Sequence, residues 1–401
     1  MKQIYYQERL QIILAFFIFF MPMANHSFGQ IYHVDEGCLT QGFGDPCIGN
    51  PLIISAPFLR IPVDANAGGL GGAGIASIRS RNAMFFNASK ISFYEASSGI
   101  TANSAFRLGG QTGNNLRLAS LSVFQKFGDA NALGINFKRA VNSFNHSLPT
   151  SLTAFSGYDK ASESLLSIAY SRKLGNHFSS ALNLKYIYSN IAYAQDKAGS
   201  SLAIPGQSFA GDLSFTFNKK FNLNKRESTI SAGLALTNIG FPMAYNNGLA
   251  RMYLPANLGI GLGWSLALDD QNKLSIFTDA NKLLVPLPDE ACDDFLCNER
   301  LPYTVLKAAW RSFYDADGGF QEEWNEVYFS FGLEYDFEDR LFLRSGFYLE
   351  QRAIGGNRNL TFGAGYNYRS LKADISIGQP VAGELTHQKL VQMSISYSPV
   401  K

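Results

Sequence analysis

Gly69-Leu70-Gly71-Gly72-Ala73-Gly74 matches GxGxxG, the spacing with which a backbone cradles a pyrophosphate. That chemistry needs a strand before the glycines and a helix after them, inside a parallel βαβ unit. The flanks supply neither. Pro57 and Pro62 stand upstream and five glycines crowd into positions 68–74, a composition that disfavours both a regular helix and a central strand. The segment 57–76 suits backbone pressed against backbone, so a plug is expected there and a dinucleotide site is not.

Other chemistry fares similarly. A hydrolase needs a nucleophile within hydrogen-bond reach of a histidine. His33, His146, His177 and His387 all fall in an arm or in connections, so no enzyme is expected. Asp289, Glu290, Asp293, Asp294 and the run Asp315, Asp317, Gly318 offer oxygen ligands without the twelve-residue calcium-loop spacing. Solvated loops are expected there, with no metal and no cofactor. Cys38, Cys47, Cys292 and Cys297 form two locally spaced pairs and are disulfide candidates if the chain is exported, with a zinc site as the rival reading.

Export is itself expected. Lys2 and Arg9 precede an apolar run over 12–23, and small residues at Ser27 and Gly29 fit cleavage before Gln30. Residues 1–29 thus read as a signal peptide, 30–96 as an arm and glycine-rich hatch, and 97–401 as the main domain. Removing 1–29 leaves 32 basic and 31 acidic residues, which does not call for nucleic acid.

Charged residues make up only 16% of the chain and aromatics 13%, yet no later apolar run is long enough for a membrane helix. A β-barrel resolves this, because a spanning strand shows lipid only every second residue. Fourteen alternating segments follow: 97–107, 116–126, 132–140, 164–174, 178–189, 207–217, 227–236, 257–266, 273–281, 327–337, 341–350, 360–368, 371–378 and 390–397. In 327–337, Val327, Phe329, Phe331, Leu333, Tyr335 and Phe337 share one face, and Ser330, Gly332, Glu334 and Asp336 share the other. Short links follow the even segments and longer ones the odd, as periplasmic turns and outer loops should, with a longer link through Lys219 and Lys220 after the sixth. The fold expected is an all-β, antiparallel transmembrane barrel of about fourteen strands with the hatch in its lumen. Asp212, Glu334, Asp336, Arg344, Lys372 and Asp374 should face that lumen.

Four stretches resemble the PorV/PorQ family of the type IX secretion system, the PorV branch more closely. They are NPLIISAPFLRIPVDANAGGLGGAGIA at 50–76, PANLGIG and DANKLLVPLP within 254–288, DADGGFQEEWNEV within 312–336, and GNRNLTFGAGYNY within 343–368. The resemblance implies a fold related to the FadL-type transporters. It further implies an outer-membrane shuttle that takes secreted proteins, through their C-terminal signal domains, from a large translocon barrel to a surface attachment complex with a sortase. A transporter of hydrophobic small molecules is the alternative.

Two loops carry exposed-looking aromatics, the kind of surface that marks partner sites. Trp310, Phe313, Tyr314, Phe320 and Trp324 lie in one, and Phe241, Met243 and Tyr245 in the other. These eight are the expected cargo or partner contacts. Arg60, Asp64, Asn66, Gly69, Gly71, Gly72 and Gly74 are the expected hatch residues, with Arg60, Asp64 and Asn66 bonding to lumen groups. Outer-membrane lipid surrounds the wall.

Overall fold

The computed structural model describes residues 31–33, 38–40, 54–78, 80–108, 115–145, 158–190, 204–245, 251–286, 303–315, 319–351, 356–382 and 389–399. Fourteen antiparallel strands close into a barrel, β14 pairing back onto β1. In chain order they are β1 Ser98–Leu108, β2 Asn115–Phe127, β3 Asn131–Asn145, β4 Tyr158–Lys173, β5 Phe178–Asn190, β6 Gly206–Leu223, β7 Arg226–Gly240, β8 Asn257–Ala267, β9 Asn272–Leu283, β10 Val327–Phe337, β11 Leu341–Leu349, β12 Arg358–Tyr368, β13 Leu371–Ala382 and β14 Lys389–Tyr397. Each expected segment coincides with one strand. Among the described residues no helix is long and apolar enough to cross a membrane, and the crossing elements are the strands.

The wall is inside-out relative to a soluble barrel. On β8 the outward Ile260, Leu262 and Trp264 are 41–54% exposed, while the inward Gly259, Gly261 and Gly263 are buried. On β10 and β11 the inward Glu334, Asp336 and Arg344 are each 1% exposed. Lipid therefore takes the apolar faces, and the polar faces form the core.

Six short turns gather at the end where β1 begins and β14 finishes, which marks that end as periplasmic. The longer link expected after β6 is not a loop. β6 continues through Lys219 and Lys220 to Leu223 and returns from Arg226 by a two-residue turn, Asn224-Lys225, both at positive φ. Two such residues give a type I′ turn, whose twist matches the strands it joins. β13 also runs past its expected end at Gly378: Pro380 pairs with Asn359 at a register shift in β12, a place where a strand tolerates proline.

The segment before β1 threads the lumen from end to end. At the outer end the Ser55 amide donates to the Tyr253 carbonyl (2.9 Å), and at the turn end Lys126 Nζ donates to the Tyr94 carbonyl (2.7 Å). Between them lie a 3-10 turn at Pro57–Arg60, the short helices α1 (Ala65–Gly69) and α2 (Ala83–Phe86), and a 3-10 turn at Ala88–Phe93. The glycine-rich stretch thus holds one helical turn after all, which Asp64 caps by accepting from the amides of Asn66 and Ala67. Further upstream, Ile31–His33 pairs with Cys38–Thr40. The proposed leader and Cys47, Cys292 and Cys297 lie outside the described residues.

Between β9 and β10 stand two more helices, α3 (Val305–Arg311) and α4 (Phe320–Asn325).

Candidate functional site

Two regions bring together side chains that the barrel alone does not require. The first is the contact between hatch and wall. Asp64, besides capping α1, accepts from Ser80 Oγ at 2.6 Å, and the Ala65 amide donates to Ser394 Oγ on β14 at 2.9 Å. The Asp279 carboxylate on β9 accepts from the amides of Gly74 and Ile75 at 2.7 and 2.9 Å. Arg60 forms an ion pair with Glu350 at 2.7 Å.

At the centre Arg344 donates through Nε to Glu334 Oε2 and through Nη1 to Asp374 Oδ1, both at 2.7 Å, with Lys372 3.8 Å from Asp374. Turned with its oxygen toward the guanidinium, the Asn66 amide accepts from Arg344 Nη2 at 2.9 Å, tying α1 into this cluster. A buried charge is tolerated only when it is paired and hydrogen-bonded, and this arrangement meets that condition with the hatch as one of the partners.

The backbones themselves touch. Gly71 has φ +68°, and a Cβ on Gly346 of β11 would lie 2.2 Å from the Gly71 amide nitrogen. Any side chain at Gly346 would push hatch and wall apart. On the other side of the lumen Lys90 donates to the carbonyls of Gly74 and Ser77. Lys138 of β3 holds the carbonyls of Phe58 and Ile61 at 2.7 and 2.6 Å. Asp279, Lys138 and Ser394 were not among the expected site residues. Their inward parity was readable, but what each one meets depends on how the hatch is threaded.

Above α1 the lumen keeps a cavity of about 600 Å³, lined by Leu59, Phe85, Phe86, Leu165 and Leu390 together with Arg107 and others.

The second region is the outer rim over β7–β10. Here Trp310, Phe320, Phe241, Tyr314, Trp324 and Phe313 are all exposed, from 82% at Phe320 to 42% at Phe313. Met243 and Tyr245 are not part of this surface. They are 1% and 6% exposed, because their loop folds inward: Met243 bridges to Met252, and the Tyr245 hydroxyl accepts from the Ala56 amide and donates to Ser189 Oγ. Their apolar mass covers the hatch's first turn and does not face solvent.

α4 rests on the wall's outward face, and α3 sits at its outer edge, where the wall meets the mouth. Ala309 packs with Leu284 and Ala256 against the outward-facing Leu236 and Leu258, and Ala308 packs on Tyr253 and Val285. Lys282 is the telling residue. On β9 it shares parity with the outward Ile276, Thr278 and Ala280, so a cation stands on a lipid-facing column. It is 8% exposed because α4 covers it: Glu323 Oε2 lies 2.8 Å from Nζ, Glu326 binds the same nitrogen, and the Phe313 ring stacks within 6.0 Å. Desolvation, with Glu323 and Asp315 nearby, pushes the Glu326 carboxyl up to about 7 although Lys282 works against it. A lysine on an apolar strand face signals a cover, and the sequence alone held that signal.

A closed wall with lipid outside, a polar core and a threaded hatch defines a plugged outer-membrane barrel. The family model for the type IX secretion system protein PorV matches residues 49–290, and the chain belongs to that family. No curated protein matches it. Two solved structures share the architecture. The CymD monoaromatic hydrocarbon channel is 13% identical, with a TM-score of 0.51 over 84% of this chain and 97% of that one. The Pseudomonas putida toluene transporter TodX is 12% identical, with a TM-score of 0.50 over 83% and 96%. At such identities the likeness shows the FadL-like fold alone. The protein is thus an outer-membrane component of type IX secretion, a family of secretion proteins and not of enzymes.

Among the described residues no group of three or more His, Cys, Asp or Glu could hold a metal ion. The acidic positions 289–294 and 317–318 lie outside the described residues.

Proposed function

We propose that this protein, exported by its leader to the bacterial outer membrane, binds secreted proteins through their C-terminal signal domains. It takes them from the large translocon barrel and carries them to the surface attachment complex with its sortase. The family match carries the reading, and the plugged lumen supports it. With Arg344, Asp279 and Arg60 each joining hatch to wall, work at the outer surface demands less rearrangement than passage through the barrel.

The partner contacts proposed are Trp310, Phe313, Tyr314, Phe320 and Trp324 on and beside α3 and α4, together with Phe241, exposed on the rim beyond β7. Because α4 lies on the outside of the wall and α3 at its outer edge, this surface addresses a neighbour in the plane of the membrane, as hand-over between two barrels requires. A Trp310→Ala, Phe313→Ala double variant should retain folding and lose cargo release at the cell surface. Normal cargo release by a well-folded double variant would remove these residues from the site. Co-purification through a tag in the turn at 269–272 should recover the translocon barrel and cargo that still holds its signal domain.

The cavity of about 600 Å³ supports a second reading, a carrier of hydrophobic small molecules. Recovery of the barrel with bound lipid or fatty acid and without protein partners would favour it.

A further inference from the structure

We propose that α3 and α4 form an interfacial collar whose exposed apolar side chains are bedded in outer-leaflet lipid and whose basic side meets the anionic headgroups. Lipid anchoring by loop helices goes beyond the secretion reading and does not depend on it.

Position comes first. Leu236, Leu258 and Lys282, which the two helices cover, have the outward parity of β7, β8 and β9. Further along the same faces, Leu234, Ile260 and Ile276 are 40–51% exposed and form the lipid-facing band. α4 therefore lies on the lipid side of the wall, and α3 stands on the rim, its Ala309 side toward that face and its Ala308 side toward Tyr253 and Ile54 at the mouth.

Continuity comes second. Phe320 stacks on Trp324 at 6.5 Å, Trp324 packs on Phe329 at 5.6 Å, and Phe329 stacks on Phe331 at 6.3 Å. Phe331 is an outward residue of β10 and is 47% exposed. One aromatic column thus runs from the lipid-facing wall onto α4 without a polar break. Aromatic side chains at the end of an apolar band are the usual markers of the membrane–water boundary.

The third observation is the make-up of α3. At 100° per residue, Leu306, Trp310 and Phe313 share one sector, and all three are exposed. Ala308, Ala309 and Ser312 share the buried sector. Lys307 and Arg311 occupy a third, and both stack over Tyr303, at 5.0 and 4.5 Å. Among the described residues neither cation has a carboxylate partner. A helix with one packed face, one apolar face and one basic face fits an interface in which acyl chains take the second and phosphate-bearing headgroups the third. Lipid covers these aromatics while the protein is alone, and a partner arriving in the membrane plane would displace it.

The chain has three tryptophans, Trp264, Trp310 and Trp324. Trp264 lies on the outward face of β8 and serves as the lipid-exposed reference. Full-length single-tryptophan variants are made by Trp→Phe replacement of the other two and reconstituted in nanodiscs of phosphatidylcholine and phosphatidylglycerol, with or without bromine on the acyl chains. Expected is a roughly twofold or greater loss of Trp324 and Trp310 emission with brominated lipid, comparable to that of Trp264, and weak quenching by aqueous iodide. Strong iodide quenching with no effect of bromine would overturn the proposal. If a double replacement fails to fold, Trp310→Phe and Trp324→Phe are made singly. Each should then remove bromine-quenchable signal from the native emission, and removal of iodide-quenchable signal alone would again overturn it.

Discussion

The hatch–wall contact and the rim collar both seat a cation between two carboxylates, yet they hold their elements very differently. Arg344 lies between Glu334 and Asp374 with the hatch's Asn66 as a further acceptor, and separate bonds from Asp279, Lys138, Ser394 and Glu350 repeat the attachment along the lumen. α4 is held chiefly by one cation, Lys282, with a cover of aromatic packing. Redundancy makes the first a fixed core. Its near-absence makes the second an element that can be released without unfolding the barrel, which suits the partner surface proposed for it.

Removing Arg344 tests the first half of that comparison most severely. Arg344→Leu leaves Glu334 and Asp374 buried without their shared cation, at a cost of about 3–5 kcal/mol, read as a fall in the temperature at which the barrel loses its heat-resistant gel mobility. A loss below about 1 kcal/mol would mean the cluster is solvated and not a core. Gly346→Ala comes next. Its Cβ would intrude on Gly71, and overpacking of this kind costs about 1–3 kcal/mol. If hatch and wall are rigidly joined, the variant either loses stability or displaces the hatch, and displacement would appear as new conductance in planar bilayers. Unchanged stability and conductance would show that the contact yields easily.

The smallest expected effect sharpens the collar side. The Glu326 carboxyl has its pKa raised to about 7 in the folded protein, against 4.5 for a free one. The folded form thus favours the proton, so this group's contribution to seating α4 is complete below about pH 4.5 and is lost as pH rises through about 7. Hydrogen exchange over 319–326, corrected for its intrinsic pH dependence, should speed up by about tenfold between pH 5 and pH 8, while the strands stay protected. Glu326→Gln should flatten that profile. A pH-independent profile in the native chain would show that Lys282 outweighs burial.

Much of the wall was legible because a spanning strand writes its environment into alternate residues. Val327 to Phe337 could be assigned to lipid and lumen from the sequence, and β10 obeys that assignment. The extensions of β6 through Lys219 and Lys220 and of β13 past Pro380 were not legible. Both depend on hydrogen bonds to a neighbouring strand and not on side-chain pattern. At the rim, Trp310, Phe320 and Trp324 are as exposed as their loop position suggested, whereas Met243 and Tyr245 turn inward onto Ala56 and Ser189. Loop residues carry no period, so nothing local distinguishes an aromatic that covers a hatch from one that stays exposed.

The sequence by itself determined that this chain makes a lipid-facing wall with a polar interior, that the wall has fourteen strands, and that the glycine-rich segment packs against backbone. Each of these follows from residue type and spacing along one strand or one turn. Only the tertiary structure decided which carboxylates receive Arg344, that Asp279 holds the hatch at Gly74 and Ile75, and that α4 folds over the outside of the wall with α3 at its outer edge. Those outcomes depend on register between distant strands and on the path of the hatch through the closed barrel. They join residues such as Ala65 and Ser394, 329 positions apart, and no local pattern encodes such a meeting.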